Sequence, residues 1–175
     1  MKTFSCLVTG PAGAGKSTVV NLLAKELERS VVVEADTLKR MIKGGYARPW
    51  PHDDEVNLQT ALAAKGACDL TKNFLDKNFS VFIADVVGLT DLNGYYKQME
   101  NLPFKVFLLL PSKEVNVQRD ADRKDKTLGD RVLELNDAFV ETADKGNWHV
   151  IDSSNQTAEQ TRDEILALLE VDFRD

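Results

Sequence analysis

Short apolar segments alternate with longer amphipathic segments along the whole chain. The apolar segments predict five β-strands, at residues 4–8, 31–34, 81–84, 104–110 and 149–151. The regular alternation of strands and helices is typical of βα units that build a parallel sheet. The expected fold class is therefore α/β, a five-stranded parallel sheet with helices on both faces.

The amphipathic segments predict the helices that connect these strands. In "KSTVVNLLAKELER", residues such as Val19 and Leu23 recur at helical spacing on one face, and "GDRVLELNDAFVETADK" shows the same pattern. The longest helix is expected at residues 55–77. The last helix, in "TAEQTRDEILALLE", follows Thr157, and Gln160 stands three residues later, which is a capping-box arrangement.

Length and composition restrict the class of protein. The 175 residues suit a single domain, 1–175, and 43% hydrophobic with 29% charged residues is ordinary for a globular chain. A net charge of -6 gives no basic field for long nucleic acids, so no such partner is expected. The chain has two cysteines and no apolar segment of membrane-spanning length. These features predict a cytoplasmic protein without a disulfide framework or a membrane anchor, and they leave its oligomeric state open.

One Gly-rich segment carries a specific chemical signature. Residues 10–17, "GPAGAGKS", match G-x-x-x-x-G-K-[ST] between a predicted strand and a predicted helix. The glycines let backbone N–H groups surround phosphate oxygens, and the helix N-terminus adds positive potential. We expect Lys16 to reach the β- and γ-phosphates of a nucleotide and Ser17 to bind Mg²⁺. The predicted nucleotide-binding residues of this loop are Gly10, Gly13, Ala14, Gly15, Lys16, Ser17 and Thr18.

Two carboxylates follow the second predicted strand. Glu34 and Asp36 stand two positions apart, so on an extended segment both point the same way. One could meet a Mg²⁺-bound water while the other accepts a proton from an attacking hydroxyl. The alternative is that Asp36 only caps the helix that begins in "TLKRM". Arg40, one helical turn later, faces either the acceptor or solvent.

A third carboxylate follows the third predicted strand. Asp85 ends "VFIAD", the Walker B form that orders the Mg²⁺ shell or its water, and it is also expected to lie near the substrate. The same residues read as D-x-x-G, a GTPase switch signature, which gives a rival function in which water receives the phosphate. The guanine-selecting N-K-x-D is missing after the next strand, where "LLLPSKEV" stands.

Two irregular segments are expected near the ligands, because loops at the carboxyl ends of parallel strands line such sites. Around residues 119–131, Arg119 and Arg123 are four apart and share a helix face. They predict a short lid whose arginines bind phosphate, although acidic neighbours make a solvated charged helix the alternative. Which arginine contacts phosphate stays open.

The second irregular segment, at about residues 43–54, contains "GGYARPWP". Tyr46, Arg48 and Trp50 follow two glycines, so this loop could close an aromatic wall over a substrate while Arg48 binds an anionic or hydroxylated group. The alternative is that Trp50 simply anchors a long loop to the core.

From end to end the chain resembles the small P-loop kinases that include gluconate kinase, shikimate kinase and chloramphenicol phosphotransferase. The similarity lies in the phosphate loop, "EAD" after strand two, "ADVVG" after strand three and "QRDADRKDKTLGDR". The resemblance implies ATP and Mg²⁺ as cofactors, Asp36 as the base toward the acceptor hydroxyl, and Glu34 as a group on a metal-bound water. The chain departs from shikimate kinase after strand three, where Val86, Val87 and Gly88 replace a glycine triplet.

The expected function is an ATP-dependent kinase that moves the γ-phosphoryl group to a hydroxyl of a small molecule. The predicted catalytic residues are Asp36, Lys16 and Arg123, and Arg119 and Arg123 join the nucleotide site. The predicted substrate residues are Asp36, Arg40, Tyr46, Arg48, Trp50 and Asp85, and the predicted metal residues are Ser17, Glu34 and Asp85. A nucleic-acid 5′-end or nucleoside kinase is the alternative, and a GTPase-like switch is a further one.

Overall fold

A computed structural model of the chain describes residues 2–122, 128–129 and 131–172. The strands are β1 (Ser5–Thr9), β2 (Ser30–Glu34), β3 (Ser80–Ala84), β4 (Phe104–Leu109) and β5 (His149–Ile151). The helices within these residues are α1 (Lys16–Lys25), α2 (Ala35–Lys39), α3 (Asp54–Leu75), α4 (Leu89–Gln98), α5 (Lys113–Ala121), α6 (Arg131–Val140) and α7 (Ala158–Asp172).

The strands form one parallel sheet in the order β2-β3-β1-β4-β5. In the centre, Leu7 of β1 lies opposite Ile83 of β3 on one side and Val106 of β4 on the other. Because all strands run the same way, their carboxyl ends meet at one edge of the sheet. In open parallel sheets this edge is where ligands bind.

Successive side chains of each strand point to opposite faces of the sheet and pack into two separate cores, one on each face. On one face, Cys6 and Val8 pack against residues of α1 and α7 such as Leu23 and Ile165. On the other face, Leu7 packs with Cys68 of α3 and with residues of α4. The prediction of a five-stranded parallel sheet with helices on both faces is confirmed.

Element boundaries follow the sequence pattern closely at the strands and less closely at the helices. The long helix predicted at 55–77 is α3, and the Asp53 carboxylate caps its start by accepting a hydrogen bond from Val56 N at 2.8 Å. The capping box before α7 is present, because Thr157 N donates to Gln160 Oε1 and Gln160 N donates to Thr157 Oγ1. Helix α4 was not predicted, since its sequence "LTDLNGYYKQ" contains poor helix formers and its stability comes from packing.

The first glycine of the phosphate loop gives a stability prediction. Gly10 has φ 140°, and a Cβ at this residue would lie 2.2 Å from the carbonyl oxygen of Leu109. We expect Gly10→Ala to lower the free energy of unfolding by about 2 kcal/mol or more, because backbone must move to admit the methyl group. The free energy of unfolding is measured by urea denaturation.

Gly94→Ala is the matched control for this variant. Gly94 lies inside α4, and a Cβ there meets nothing within 4 Å. Alanine is the better helix former, so this change should raise stability by about 0.5–1 kcal/mol. Equal stability of Gly10→Ala and the native protein would show that this loop does not pack against β4 as described.

Candidate active site

A cleft of about 380 Å³ lies at the carboxyl ends of the central strands. Its lining residues come from the phosphate loop, from the segments that follow β2 and β3, and from α5. They are Ala12, Gly13, Gly15, Lys16, Ser17, Thr18, Glu34, Asp36, Arg40, Ala84, Asp85, Val86 and Arg119. The structure therefore brings together residues that are far apart in the sequence but that the motif analysis assigned to one site.

The phosphate loop is held in shape from both of its sides. Gly15 adopts φ 94°, the left-handed conformation that favours glycine, and directly precedes the first residue of α1. At the tip of the loop, the buried Asn116 of α5 donates from Nδ2 to the carbonyl of Ala12 at 3.0 Å. The first turn of α1 contains no acidic residue, so its N-terminal potential is available to an anion in the cleft.

The side chain of the motif lysine folds back onto the loop that precedes it. Lys16 Nζ donates to the carbonyl oxygens of Gly10 at 2.9 Å and Pro11 at 2.8 Å. These contacts place the ammonium group at the cleft wall. Gly10 itself and the buried Ala14 shape the loop and are not among the described residues that line the cleft.

Glu34 and Asp36 both line the cleft, although the local structure differs from the expected extended segment. Glu34 ends β2 and precedes α2, and Asp36 already lies in the first turn of α2. The interpretation of Asp36 as the helix cap was wrong, because Glu34 occupies the N-cap position and makes no side-chain capping bond. Asp36 is 72% exposed, and one of its oxygens lies 3.9 Å from Arg40 Nη1.

Asp85 is the most tightly held of the three carboxylates. Its Oδ2 accepts a hydrogen bond from the Tyr95 hydroxyl at 2.7 Å, and its Oδ1 accepts one from Val86 N at 2.8 Å. Burial raises the pKa of this carboxyl above its ordinary value, the hydrogen bonds oppose the increase, and the nearby Asp36 adds to it. The Asp85 carboxylate is therefore fixed in orientation and faces the same cleft as Asp36.

Arg119 of α5 joins the cleft to the loop that follows β5. Its guanidinium donates to the backbone carbonyls of Ser153 at 2.8 Å and Gln156 at 3.3 Å, and to Ser153 Oγ at 3.3 Å. Arg119 thus borders the cleft with its donors directed largely to this loop, and its contact with phosphate stays a prediction. Arg123, the other predicted lid arginine, lies outside the described residues.

The predicted substrate loop, residues 43–54, is anchored by one buried side chain of α3. Gln59 accepts a hydrogen bond from Ala47 N at 2.8 Å, and it donates to the carbonyl of Gly45 and to Glu55 Oε1, each at 2.7 Å. In this loop, the ring of Trp50 lies 4.7 Å from the guanidinium carbon of Arg131 at the start of α6.

The side chains predicted to contact substrate divide into two groups. Asp36, Arg40 and Asp85 line the cleft. Tyr46, Arg48 and Trp50 are exposed in the loop at 43–54, and the cleft lining found among residues 2–122, 128–129 and 131–172 does not include them. Their assignment to the substrate stays a prediction.

The residues at the cleft fit a nucleotide-bound magnesium ion and not a metal site built by the protein alone. In the part of the chain that the structure describes, no three His, Cys, Asp or Glu side chains are placed to hold a metal. Mg²⁺ at a nucleotide keeps water and phosphate oxygens as most of its ligands, so one hydroxyl and one or two carboxylates suffice. Ser17, Glu34 and Asp85 all line the cleft and are the predicted sources of these oxygens, and their role at the metal stays a prediction.

Comparison with known proteins is consistent with this geometry. A protein-family model described as an AAA domain (AAA_33) matches residues 6–145, which include the phosphate loop, both carboxylate segments and α5. The chain belongs to this AAA domain family. No curated protein sequence matches the chain.

Solved structures similar to this AAA domain protein include three kinases. A sugar kinase from Janibacter sp. HTCC2649 has a TM-score of 0.70 at 19% identity and covers 97% of this chain and 95% of its own. Shikimate kinase from Acinetobacter baumannii has a TM-score of 0.67 at 20% identity, and the match covers 99% of this chain and 96% of that kinase. A gluconokinase from Sinorhizobium meliloti 1021 has a TM-score of 0.70 at 18% identity, and the match covers 96% of this chain and 92% of that enzyme. These likenesses show the fold and confirm the resemblance to small P-loop kinases.

Sequence reasoning missed several residues that shape the site of this AAA domain protein. Tyr95, Gln59 and Asn116 belong to no motif, and each contacts a segment outside its own helix. The only local signal is a polar group at an apolar position, such as Gln59 and Asn116 on the buried faces of their helices.

Within residues 2–122, 128–129 and 131–172, no helix combines the length and apolarity that crossing a membrane requires.

Proposed function

We propose that this protein is an ATP-dependent kinase that transfers the γ-phosphoryl group to a hydroxyl of a small molecule. The observation that carries the proposal is that one cleft contains the phosphate-loop residues Lys16 and Ser17 together with Asp36 and Asp85. The first pair suits a nucleoside triphosphate, and the second pair suits a hydroxyl acceptor beside it. The sugar kinase, shikimate kinase and gluconokinase that share the fold support a small-molecule acceptor.

The phosphate loop binds and orients the donor. Backbone N–H groups of the loop and the N-terminus of α1 face the phosphate oxygens, and Lys16 exchanges its backbone carbonyl partners for the β- and γ-phosphates. Ser17, Glu34 and Asp85 are the residues that would hold Mg²⁺ here, and the bound ion would neutralise charge on the transferring phosphoryl group. Arg119, which borders the cleft, and the other arginine predicted for the lid add positive charge for the same group.

Asp36 orients the acceptor and takes its proton. This carboxylate is largely exposed to the cleft, so a hydroxyl group can reach it directly. Arg40, one turn later, lies 3.9 Å from this carboxylate and places a positive charge beside it. Holding the hydroxyl in line with the γ-phosphorus accounts for much of the catalysis, because phosphoryl transfer depends on positioning and charge stabilisation.

A cytoplasmic setting is part of the proposal. ATP-dependent transfer to a metabolite suits the cytoplasm, and both cysteines, Cys6 and Cys68, are buried free thiols. Burial raises the pKa of the Cys68 thiol to about 11, so it stays protonated and unreactive at neutral pH.

An ATP-consumption screen tests the proposed function and its alternatives together. The purified protein is incubated with ATP, Mg²⁺ and a panel of sugars, sugar acids, nucleosides, aminoglycosides, phenicols and 5′-OH oligonucleotides, beside an acceptor-free control. We expect at least one small hydroxyl compound to raise ADP formation well above the control, with a phosphorylated product detected by mass spectrometry. Turnover that needs no acceptor supports the nucleotide switch, and turnover only with oligonucleotides supports the 5′-end kinase.

A further inference from the structure

A buried tyrosine directs its hydroxyl out of the apolar core toward the cleft. Tyr95 of α4 is 1% exposed, and its ring packs parallel to that of Phe104 with 6.4 Å between the centroids. Phenylalanine would pack equally well in such surroundings. The hydroxyl instead donates a 2.7 Å hydrogen bond to Asp85 Oδ2.

The segment that follows β3 is held on its other side by β1. Thr9, the last residue of β1, accepts a hydrogen bond from Val87 N at 2.9 Å and donates one to the carbonyl of Val87 at 3.0 Å. Val86 N in turn donates to Asp85 Oδ1. The backbone around Asp85 is therefore fixed by Thr9, and the side-chain torsion of Asp85 is fixed by Val86 N and Tyr95.

We propose that Tyr95 is a positioning residue that directs the Asp85 carboxylate toward the magnesium-bound water and the acceptor in the proposed kinase reaction. The inference rests on the proposed function of the cleft. Each Asp85 oxygen has one lone pair engaged with the protein, which leaves the remaining lone pairs for the cleft that Asp85 lines. Without the hydroxyl, Oδ2 loses its fixed donor and the carboxylate can rotate about its side-chain bonds.

Tyr95→Phe isolates this effect because the ring stays and only the hydroxyl is removed. We expect kcat to fall about 10- to 100-fold while the KM for ATP in the presence of Mg²⁺ rises only a few-fold, since a small misplacement of a reacting group acts mainly on the transfer step. Tyr96→Phe is the matched control. Tyr96 is the next residue of the same helix, and its hydroxyl donates to the carbonyl of Asn147, away from the cleft. This variant should keep the native kcat.

A double-mutant cycle separates positioning from a purely structural role. If Tyr95 acts through Asp85, adding Tyr95→Phe to Asp85→Asn should lower kcat no further than Asp85→Asn alone. If the decrease of kcat in the double variant equals the product of the decreases in the two single variants, the proposal is overturned. A native kcat in Tyr95→Phe would overturn it as well. A native kcat in Asp85→Asn would show that Asp85 has no role, and that result overturns the proposal as well.

A binding measurement tests the proposal without turnover. The melting temperature is measured with a non-hydrolysable ATP analogue, with and without Mg²⁺, for the native protein and both phenylalanine variants. In Tyr95→Phe, the analogue alone should raise the melting temperature as much as in the native protein, but the further increase that Mg²⁺ adds should be smaller. In Tyr96→Phe, both increases should be native. Equal increments in the two variants would contradict the proposal. This assay stays informative even if the acceptor screen finds no kinase activity.

Discussion

Lys16→Ala is expected to abolish stabilisation of the protein by ATP. A ligand present at 100 times its Kd stabilises a folded protein by about 2.7 kcal/mol, which corresponds to roughly 5–10 °C in the melting temperature of a domain this size. Lys16 lines the cleft and is the only charged side chain of the loop motif, so its removal leaves the phosphates without their main cation. Turnover with any acceptor found should fall by about 10³-fold, the scale of a lost charge-stabilising group.

Lys25→Ala provides the control for charge and helix. Lys25 is exposed in the last turn of α1, the helix that begins with Lys16, so this variant loses the same charge without touching the cleft. It should keep the native ATP shift. Circular dichroism of Lys16→Ala should show a folded protein, because hydrogen bonds such as those from Lys16 to the loop carbonyls each contribute only modestly to stability. An unchanged ATP shift in Lys16→Ala would show that nucleotide binds elsewhere.

Asp36→Asn is expected to lower kcat by about 10² or more and to leave ATP affinity nearly unchanged. Asparagine preserves the size of the side chain and removes the basic oxygen that would accept the acceptor's proton. The cost in stability should be small, because the lost ion pair with Arg40 is long and exposed to solvent. Steady-state kinetics with the acceptor from the screen give kcat and both KM values.

Asp91→Asn is the control for the local helix effect. Asp91 stands in the first turn of α4 as Asp36 stands in the first turn of α2, so both variants lose the same favourable interaction with a helix N-terminus. Asp91→Asn should keep the native kcat. If Asp36→Asn also transfers phosphate at the native rate, Asp36 is not the base, and Glu34 and Asp85 become the candidates.

The groups that line the cleft were predictable because they follow strands. A parallel sheet brings the carboxyl ends of its strands to one edge, so the positions of Lys16, Asp36 and Asp85 in the sequence already imply a shared site. The phosphate loop adds a motif with strict spacing. Its local structure depends on glycine conformations that the sequence makes visible, as at Gly15.

Contacts made by tertiary packing were not predictable in the same way. Helix α4 contains Gly94 and several poor helix formers, so its pattern alone did not indicate a helix, and without α4 the approach of Tyr95 to Asp85 could not be foreseen. The exposed Trp50 was expected either to cover a substrate or to anchor its loop. In the structure the loop is anchored by Gln59, and the ring of Trp50 lies over the guanidinium of Arg131.

The attachment of the loop at 43–54 has a consequence for how such proteins diverge. Gln59 holds this loop through main-chain atoms of Gly45 and Ala47, so this attachment does not use the side chains of Tyr46 and Arg48. Tyr46 and Arg48 can therefore be exchanged in evolution while the loop keeps its place. If the loop contacts the acceptor as predicted, a new acceptor preference can arise by substitutions in this one short segment. A loop transplanted from a relative that keeps this glutamine should then be accommodated without redesign of the nucleotide half.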